Sequence, residues 1–381
     1  MSSAGAKAIR NLAGPFLRLG FTAFGGPAAH IAMMEEEFVR RRRWLTREEF
    51  LDMLGASNLV PGPSSTELAI HIGHRQAGWM GLLVAGVCFI APAMLIVMGC
   101  AWAYQTFGSL PQLQGVLYGI KPVIIALVLQ AMWLLARAAI KNKPLGVLGV
   151  AALTAALAGG NLLMILLAAG AIAALRAWIR ERQVSGNRIS IATGAKSLMA
   201  PATVLTATMP FSLTGLFLIF MKFGAVVFGS GYVLLAFLQA DLVGRLHWLT
   251  QSQLLDAVAI GQVTPGPVFT TATFIGYLLG GVRGAVIATV GIFLPGFIFV
   301  AASRPLLPRI RRSKIAGAFL DGVNAGAVAL MLAVTYQLGR AALIDVPTVA
   351  ITILSAVGLI GFRINTIWLI VGGAVVGVIT S

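Results

Sequence analysis

Trp44-Leu45-Thr46-Arg47-Glu48-Glu49-Phe50-Leu51-Asp52-Met53-Leu54-Gly55-Ala56-Ser57-Asn58-Leu59-Val60-Pro61-Gly62-Pro63 returns in its marker residues 204 positions later, as Trp248-Leu249-Thr250, Asp256 and Pro265-Gly266-Pro267. The register extends outward from there. After a one-residue slip between Glu67 and Gly73 it continues at 203, matching Gly73 with Gly276, Gly81 with Gly284, Pro92 with Pro295, Gly119 with Gly322, Arg137 with Arg340 and Pro144 with Pro347. So long a register is an internal duplication. Residues 1–180 form the first copy, 181–210 a cytoplasmic linker and 211–381 the second copy. Repeats of this size in an apolar chain mark secondary transporters, whose substrate site lies where the copies meet near the bilayer midplane.

Of 381 residues, 58% are hydrophobic and 10% charged, where a soluble domain carries roughly 25% charged residues. The chain therefore reads as a polytopic membrane protein whose surroundings are the lipid bilayer. Its formal net charge of +16 would suggest nucleic acid in a soluble chain. Here the basic residues stand beside apolar spans, where positive-inside orientation and anionic headgroups explain them, and no nucleic-acid partner is expected. Cys88 and Cys100 share one apolar segment, which indicates neither a disulfide framework nor a metal cluster. Met1 to Gly14 lack the compact apolar run and small-residue cleavage site of a signal peptide, so the N-terminus is expected to be retained.

Apolar spans are expected at about 12 to 34, 78 to 106, 114 to 138, 145 to 159 and 161 to 178, and again at about 211 to 238, 283 to 302, 316 to 338, 346 to 361 and 364 to 380. Several fall short of the roughly 20 residues that an untilted span needs. Between the first two spans of each copy lies a re-entrant hairpin, from Glu48 to Arg75 with its tip at Pro61-Gly62-Pro63 and from Gln251 to Gly280 with its tip at Pro265-Gly266-Pro267. Non-helical backbone at membrane depth is tolerated only inside protein or beside a wet cavity, which makes each tip a candidate cavity wall.

Charge orients the copies. Arg40-Arg41-Arg42-Arg43 of the first copy faces only Arg245 and His247 in the second, whereas Ala101 to Ile120 is uncharged and its counterpart carries Arg304, Arg309, Arg311, Arg312 and Lys314. Under the positive-inside rule this reciprocity puts equivalent loops on opposite sides. The expected fold is an all-α polytopic membrane protein of two inverted-topology repeats, each of about five transmembrane helices with a re-entrant helical hairpin. Arg40 to Arg43, Lys141, Lys143, the linker, Arg304 to Lys314 and Arg363 then lie on the cytoplasmic side. Both termini fall outside, unless an initial interfacial helix carrying Lys7 and Arg10 keeps the first one in.

Cations inside spans are the costliest residues. Arg18 lies in Phe16-Leu17-Arg18-Leu19-Gly20-Phe21, and the repeat puts Lys222 in Phe220-Met221-Lys222-Phe223-Gly224. A central Arg or Lys costs about 2.5 to 3.5 kcal/mol on insertion scales. Two at equivalent positions call for a compensating partner, an anionic substrate being one and snorkelling to an interface the alternative. Lys121, followed by Pro122 and replaced by Asn324 in the second copy, is a third candidate or simply the start of a span.

Phe24-Gly25-Gly26-Pro27 and Phe228-Gly229-Ser230-Gly231 interrupt the first span of each copy, freeing N–H groups and allowing close approach to a ligand. Helices restarting after the tips would aim their N-termini at the cavity, each worth about half a positive charge. Ser64, Ser65 and Thr66 follow the first tip, Thr270 and Thr271 the second, while Asn58 and Gln262 precede them in register. Two tips and one or two cations suit a small dianion. Ser64-Ser65-Thr66-Glu67 also reads as a capping box that satisfies only its own helix. Glu67, His71 and His74 recur at helical spacing and could relay protons, although a capped helix entering a wet vestibule explains them equally well. Asp52 and Asp256 could anchor the hairpins. Neither metal nor cofactor is expected, since His71 and His74 lack nearby Cys and the chain has no HExxH.

At these residues the chain resembles the chromate ion transporter family, long-chain type, in which two homologous domains are fused. The resemblance rests on Phe24-Gly25-Gly26-Pro27, Trp44-Leu45-Thr46, Asn58-Leu59-Val60-Pro61-Gly62-Pro63, their echoes, and Pro92 with Pro295. It implies export of chromate across the inner membrane of a bacterial cell, conferring chromate resistance and driven by the proton motive force, with sulfate as a related anion. The second copy departs from the pattern in having Phe228-Gly229-Ser230-Gly231. An importer or exchanger of sulfate or another oxyanion, a channel and a membrane-bound chromate reductase are the competing readings. Against the reductase stand the lack of paired cysteines, of haem motifs and of a dinucleotide fingerprint. A homodimer is left open.

Overall fold

The computed structural model describes residues 3–108, 110–184, 210–228, 231–362 and 364–380, with 3–10 and 303–312 given by backbone alone. All regular structure among them is helical. The first copy runs α1 (Ser3–Thr22), α2 (Gly26–Glu35), a π-helical turn (Glu36–Arg41), α3 (Arg47–Ser57), α4 (Ser64–Phe107), α5 (Pro111–Ala139), α6 (Lys143–Leu157) and α7 (Leu162–Val184). The second runs α8 (Leu213–Val226), a 3-10 turn (Gly231–Val233), α9 (Leu234–Leu238), a π-helical turn (Gln239–Arg245), α10 (Gln251–Val263), a 3-10 turn (Val268–Thr270), α11 (Thr271–Arg312), α12 (Lys314–Ala342), α13 (Val346–Ile360) and α14 (Thr366–Thr380). Among the described residues α4, α5, α7, α11 and α12 supply five helices long and apolar enough to cross a bilayer, and α6, α8, α13 and α14 are shorter apolar helices. The chain is an all-α polytopic membrane protein.

Equivalent helices make equivalent contacts. α1 packs on α4 as α8 packs on α11, and α4 meets α11. The last two helices of each copy cross over, with α13 and α14 lying on α5 as α6 and α7 lie on α12. Lipid is as apolar as Leu, so close approach through small residues rather than water exclusion holds such helices together. A Cβ placed on Gly119 would collide with the Gly373 carbonyl, and one on Gly322 with the Ala169 carbonyl. One polar tie closes each crossover. Lys141 Nζ lies 2.7 Å from Asp321 Oδ1, and Tyr118 donates to Asp345 Oδ2 at 2.6 Å.

The structure adjusts three boundaries. The expected first span is two helices, because α1 stops at Thr22 and α2 begins only at Gly26, where Gly25 (φ 97°) and Gly26 (φ 76°) carry left-handed backbone and Pro27 starts the new helix. The second limb of each hairpin runs on into the following span, kinked at Ala77-Gly78 in α4 and at Gly280-Gly281 in α11. The kink folds the limb back along the span, so that Gly73 faces the Gly81 carbonyl and Gly276 the Gly284 carbonyl too closely for any side chain. α7 continues to Val184, past the expected edge of the first copy. Linker residues 185–209, Gly229, Ser230, Arg363 and the side chains of Lys7, Arg10, Arg304, Arg309, Arg311 and Arg312 lie outside the described residues.

Candidate functional site

Each hairpin is built the same way. Arg43 and His247 turn the chain with φ of 53°. Thr46 then caps α3 in a capping box with Glu49, and Thr250 caps α10 in one with Gln253. The reciprocal bonds run from 2.9 to 3.2 Å, the geometry that satisfies two otherwise orphaned N–H groups at a helix start. At the tips Gly62 has φ 134° and Gly266 φ 92°, conformations that favour glycine.

The tips dock on the helix breaks of the opposite copy. Gly62 donates its N–H to the Val227 carbonyl at 2.7 Å, and Gly266 donates to the Ala23 carbonyl at 2.8 Å. Both donors and acceptors are 204 residues apart. Each tip is thus held on the break of the other copy, which makes a junction between the copies. Tyr232, beside the second break, brings its hydroxyl 4.0 Å from where a Cβ on Gly26 would lie and donates to Gln262 Oε1 at 3.4 Å.

Around this junction the expected polar residues divide. Thr270 and Thr271 bond the carbonyls of Pro267 and Val268, both at 2.8 Å, and close their own turn. Pro61, Gly62, Pro63, Pro265, Gly266 and Pro267 form the two tips, all of them buried except the half-buried Pro61. Asn58 is exposed at the end of α3, unlike its half-buried register partner Gln262. Ser65 Oγ lies 3.3 Å from His30 Nδ1, whose ring is buried and whose Nε2 lies 3.1 Å from the Ala23 carbonyl. His30 therefore joins the second limb of the first hairpin to the carbonyl that receives Gly266.

The capping box expected at Ser64 does not form. Pro63 occupies the N-cap, which puts Ser64 at the first helical position and Glu67 one place too far to reach back. Glu67 is fully buried, and neither of its carboxyl oxygens has a hydrogen-bond partner among the described residues. Its Oε1 occupies the space beside Gly62, and a Cβ on Gly296 of α11 would lie 3.6 Å from it. Thr66 Oγ1 and Gln262 Nε2 are also buried without a partner. An unpaired buried polar atom costs about 1 to 3 kcal/mol, so such a cluster needs a reason. His71, one helical turn beyond Glu67, is half-buried.

The embedded cations have protein partners. Arg18 lies 4.0 Å from Glu37, which also takes Arg41 at 3.4 Å and Arg42 at 2.6 Å. Lys222 lies 2.6 Å from Asp241, which takes Arg245 at 2.9 Å. Glu37 and Asp241 sit on the two π-helical turns and are themselves register equivalents, a signal the sequence carried and the reading above passed over. Burial pushes the Glu37 carboxyl up, but the Arg42 hydrogen bond and the charges of Arg42, Arg41 and Arg18 outweigh it and hold the carboxyl below its ordinary value. Each cluster keeps a surplus of positive charge, three cations to one carboxylate and two to one. Lys121 instead crosses between copies, 2.9 Å from the buried Asp256 and 3.0 Å from Ser252, while Tyr104 donates to Asp256 at 2.8 Å. Asp256 thus anchors its hairpin, whereas its counterpart Asp52 is exposed. Among the described residues no three His, Cys, Asp or Glu side chains come together as a metal site.

The sequence model of the family described as chromate transporter matches residues 10–175 and 214–378, one segment in each copy. The chromate transport protein of Cupriavidus metallidurans is 31% identical over 379 residues, covering 97% of this chain and 93% of that protein. The probable chromate transport protein of Synechococcus elongatus is 31% identical over 98% of this chain and 96% of its own length. The chromate transport protein of Pseudomonas aeruginosa is 32% identical over 88% of this chain and 82% of its own. No solved structure matches significantly.

Proposed function

Starting from the fact that this chain belongs to the chromate transporter family, we propose that it is a secondary transporter that exports chromate from the cytoplasm of a bacterial cell and so confers chromate resistance. The carrying observation is the pair of tip-to-break hydrogen bonds, Gly62 to Val227 and Gly266 to Ala23. Two glycine tips held between the copies bring two helix starts, the positive ends of their dipoles, toward the junction, the arrangement by which broken helices hold an anion. Thr66 and Gln262 offer buried donors without a partner among the described residues. Ser64, Ser65, Gly25, Gly26 and the Gly229-Ser230 stretch complete the proposed wall, with Asn58 at its edge. Arg18 and Lys222, in clusters that keep a surplus of positive charge, set a positive field around it.

Inverted topology of the copies is part of the proposal, supported by the reciprocal loop charges. Alternating access then follows as one copy rocks against the other about the tips. Export is electrically downhill, because a dianion leaving a negative interior gains about 4.6 kcal/mol per 100 mV, twice the single-charge value. Glu67 and His71 are the proposed proton carriers. A carboxyl sealed beside Gly62 interacts directly with any anion entering the junction, so its proton and the substrate are thermodynamically linked.

Tracer chromate flux in proteoliposomes under imposed voltage and pH gradients tests the reading. Efflux from inside-negative vesicles, accelerated by a proton gradient and lost in Glu67→Gln only in its pH dependence, is expected. Flux of sulfate with none of chromate, or chromate flux indifferent to pH at fixed voltage, would overturn the substrate and the coupling respectively.

A further inference from the structure

Away from the junction, α6, α7 and the start of α12 enclose a cleft of about 800 Å³. Its two long walls share one polarity. Along α6 the lining runs from Lys143 through Val147 to Ala151, and along α7 from Arg180 and Arg176 to Ala173 and Ile172. Positive charge sits at one end and aliphatic surface reaches about 12 Å deeper, at 1.5 Å per helical residue. Of the other charges at the rim, Glu181 already faces Lys314 at 3.9 Å and Asp321 faces Lys141 at 2.7 Å. Lys143, Arg176 and Arg180 have no carboxylate partner among the described residues.

Two observations fix what such a cleft would take. Trp178 is partly exposed on the same turn of α7, with the Arg182 guanidinium 3.9 Å over its ring, and exposed Trp beside Arg marks headgroup depth. Val147 is 71% exposed and Ile172 55%, which in a polytopic protein is surface turned to acyl chains rather than to a watery vestibule. The equivalent cleft at the other crossover has lost the charge. There Lys143 and Lys314 are replaced in register by Val346 and Pro111, and Arg176, in the 204 register that pairs Asn161 with Asn365, by Thr380; the lining includes Ile344, Asp345 and Val349.

From the cation ring over an aliphatic slot, present at one crossover and absent from its twin, we infer that this cleft binds one anionic diacyl phospholipid. The headgroup phosphate sits among Lys143, Arg176 and Arg180, and an acyl chain lies along Val147, Ala151 and Ile172. The bound lipid would brace α6 and α7, the last two helices of the first copy, against α12 of the second. The site is independent of the transported ion.

The test is native mass spectrometry of the full chain in mild detergent, titrated with dioleoylphosphatidylglycerol or dioleoylphosphatidylcholine. Preferential retention of phosphatidylglycerol is expected, with affinity falling by about tenfold or more in the Lys143→Ala/Arg176→Ala/Arg180→Ala variant. Arg176→Gln and Arg180→Gln measured singly serve if the triple variant does not fold, each with a smaller loss in the same direction. Equal retention of the two lipids, unchanged retention in the variants, or displacement of the lipid by millimolar inorganic phosphate would overturn the proposal.

Discussion

Lys222 Nζ lies 2.6 Å from Asp241 Oδ2, and the same two positions in the first copy hold Arg18 and Glu37. Both clusters remain net positive after this pairing. Lys222→Ala is therefore expected to weaken chromate binding by about tenfold or more, roughly 1.4 kcal/mol, whereas Asp241→Asn, which adds to the surplus, should leave affinity unchanged or raise it. Equilibrium binding of labelled chromate to the purified variants checks both. Equal losses in the two would mean that the pair matters for structure and not for the anion.

Gly62 and Gly266 are equivalent in sequence, yet their surroundings differ. A Cβ on Gly266 meets Ala93 Cβ and, at 3.4 Å, the Gly20 carbonyl, while on Gly62 it meets the carboxyl of Glu67. Strained φ at a non-glycine residue costs about 1 to 3 kcal/mol at either site. The carboxyl can turn aside and the backbone cannot. Gly266→Ala should lower the melting temperature more than Gly62→Ala, and Glu67→Ala should partly rescue Gly62→Ala but not Gly266→Ala. Thermal unfolding of the single and double variants in detergent reads out the coupling.

How much of this was legible beforehand depended on symmetry. Hairpins, tips and broken first spans were all visible because each feature was written twice, and the residues that make them, Thr46 and Thr250 or Gly62 and Gly266, act through local backbone chemistry. Glu37 and Asp241 were just as repeated, but a carboxylate among basic residues looks like an ordinary solvated turn until the helices fold together. His30, Tyr104 and Tyr232 have no equivalents in the opposite copy, and their partners lie on other helices, so neither period nor register could announce them. The capping box at Ser64 failed for a one-residue reason, since the spacing was right and Pro63 took the cap.

Asp256 is buried and held by Lys121 and Tyr104 from the other copy. Lys121→Ala would leave that carboxylate without its cation. Removing one partner of a buried pair costs about 3 to 5 kcal/mol, so this variant should be markedly less stable than Lys141→Ala, whose pair with Asp321 is more exposed. Asp256→Asn in the Lys121→Ala background should recover part of the loss. Chemical unfolding of the parent and the three variants decides whether Lys121 acts as this tie.

Asp345 caps α13 and accepts a hydrogen bond from Tyr118, and the Tyr118 bond first, then the Thr348 N–H, hold its carboxyl below the ordinary value. A carboxyl lowered on folding stabilises the folded state above its unfolded pKa of about 3.9, and that contribution fades as pH falls through the folded value. Acidification below about pH 4 should therefore loosen the crossover between α5 and α13. Tyr118→Phe removes the largest cause and lets the folded value rise, so the variant should have less of this stability to lose, and what remains should fade at higher pH than in the parent. Melting temperatures from pH 3 to 7 compare the two. Coincident acid profiles would show that the Tyr118 hydroxyl contributes nothing to the cap, leaving Thr348 alone to hold it.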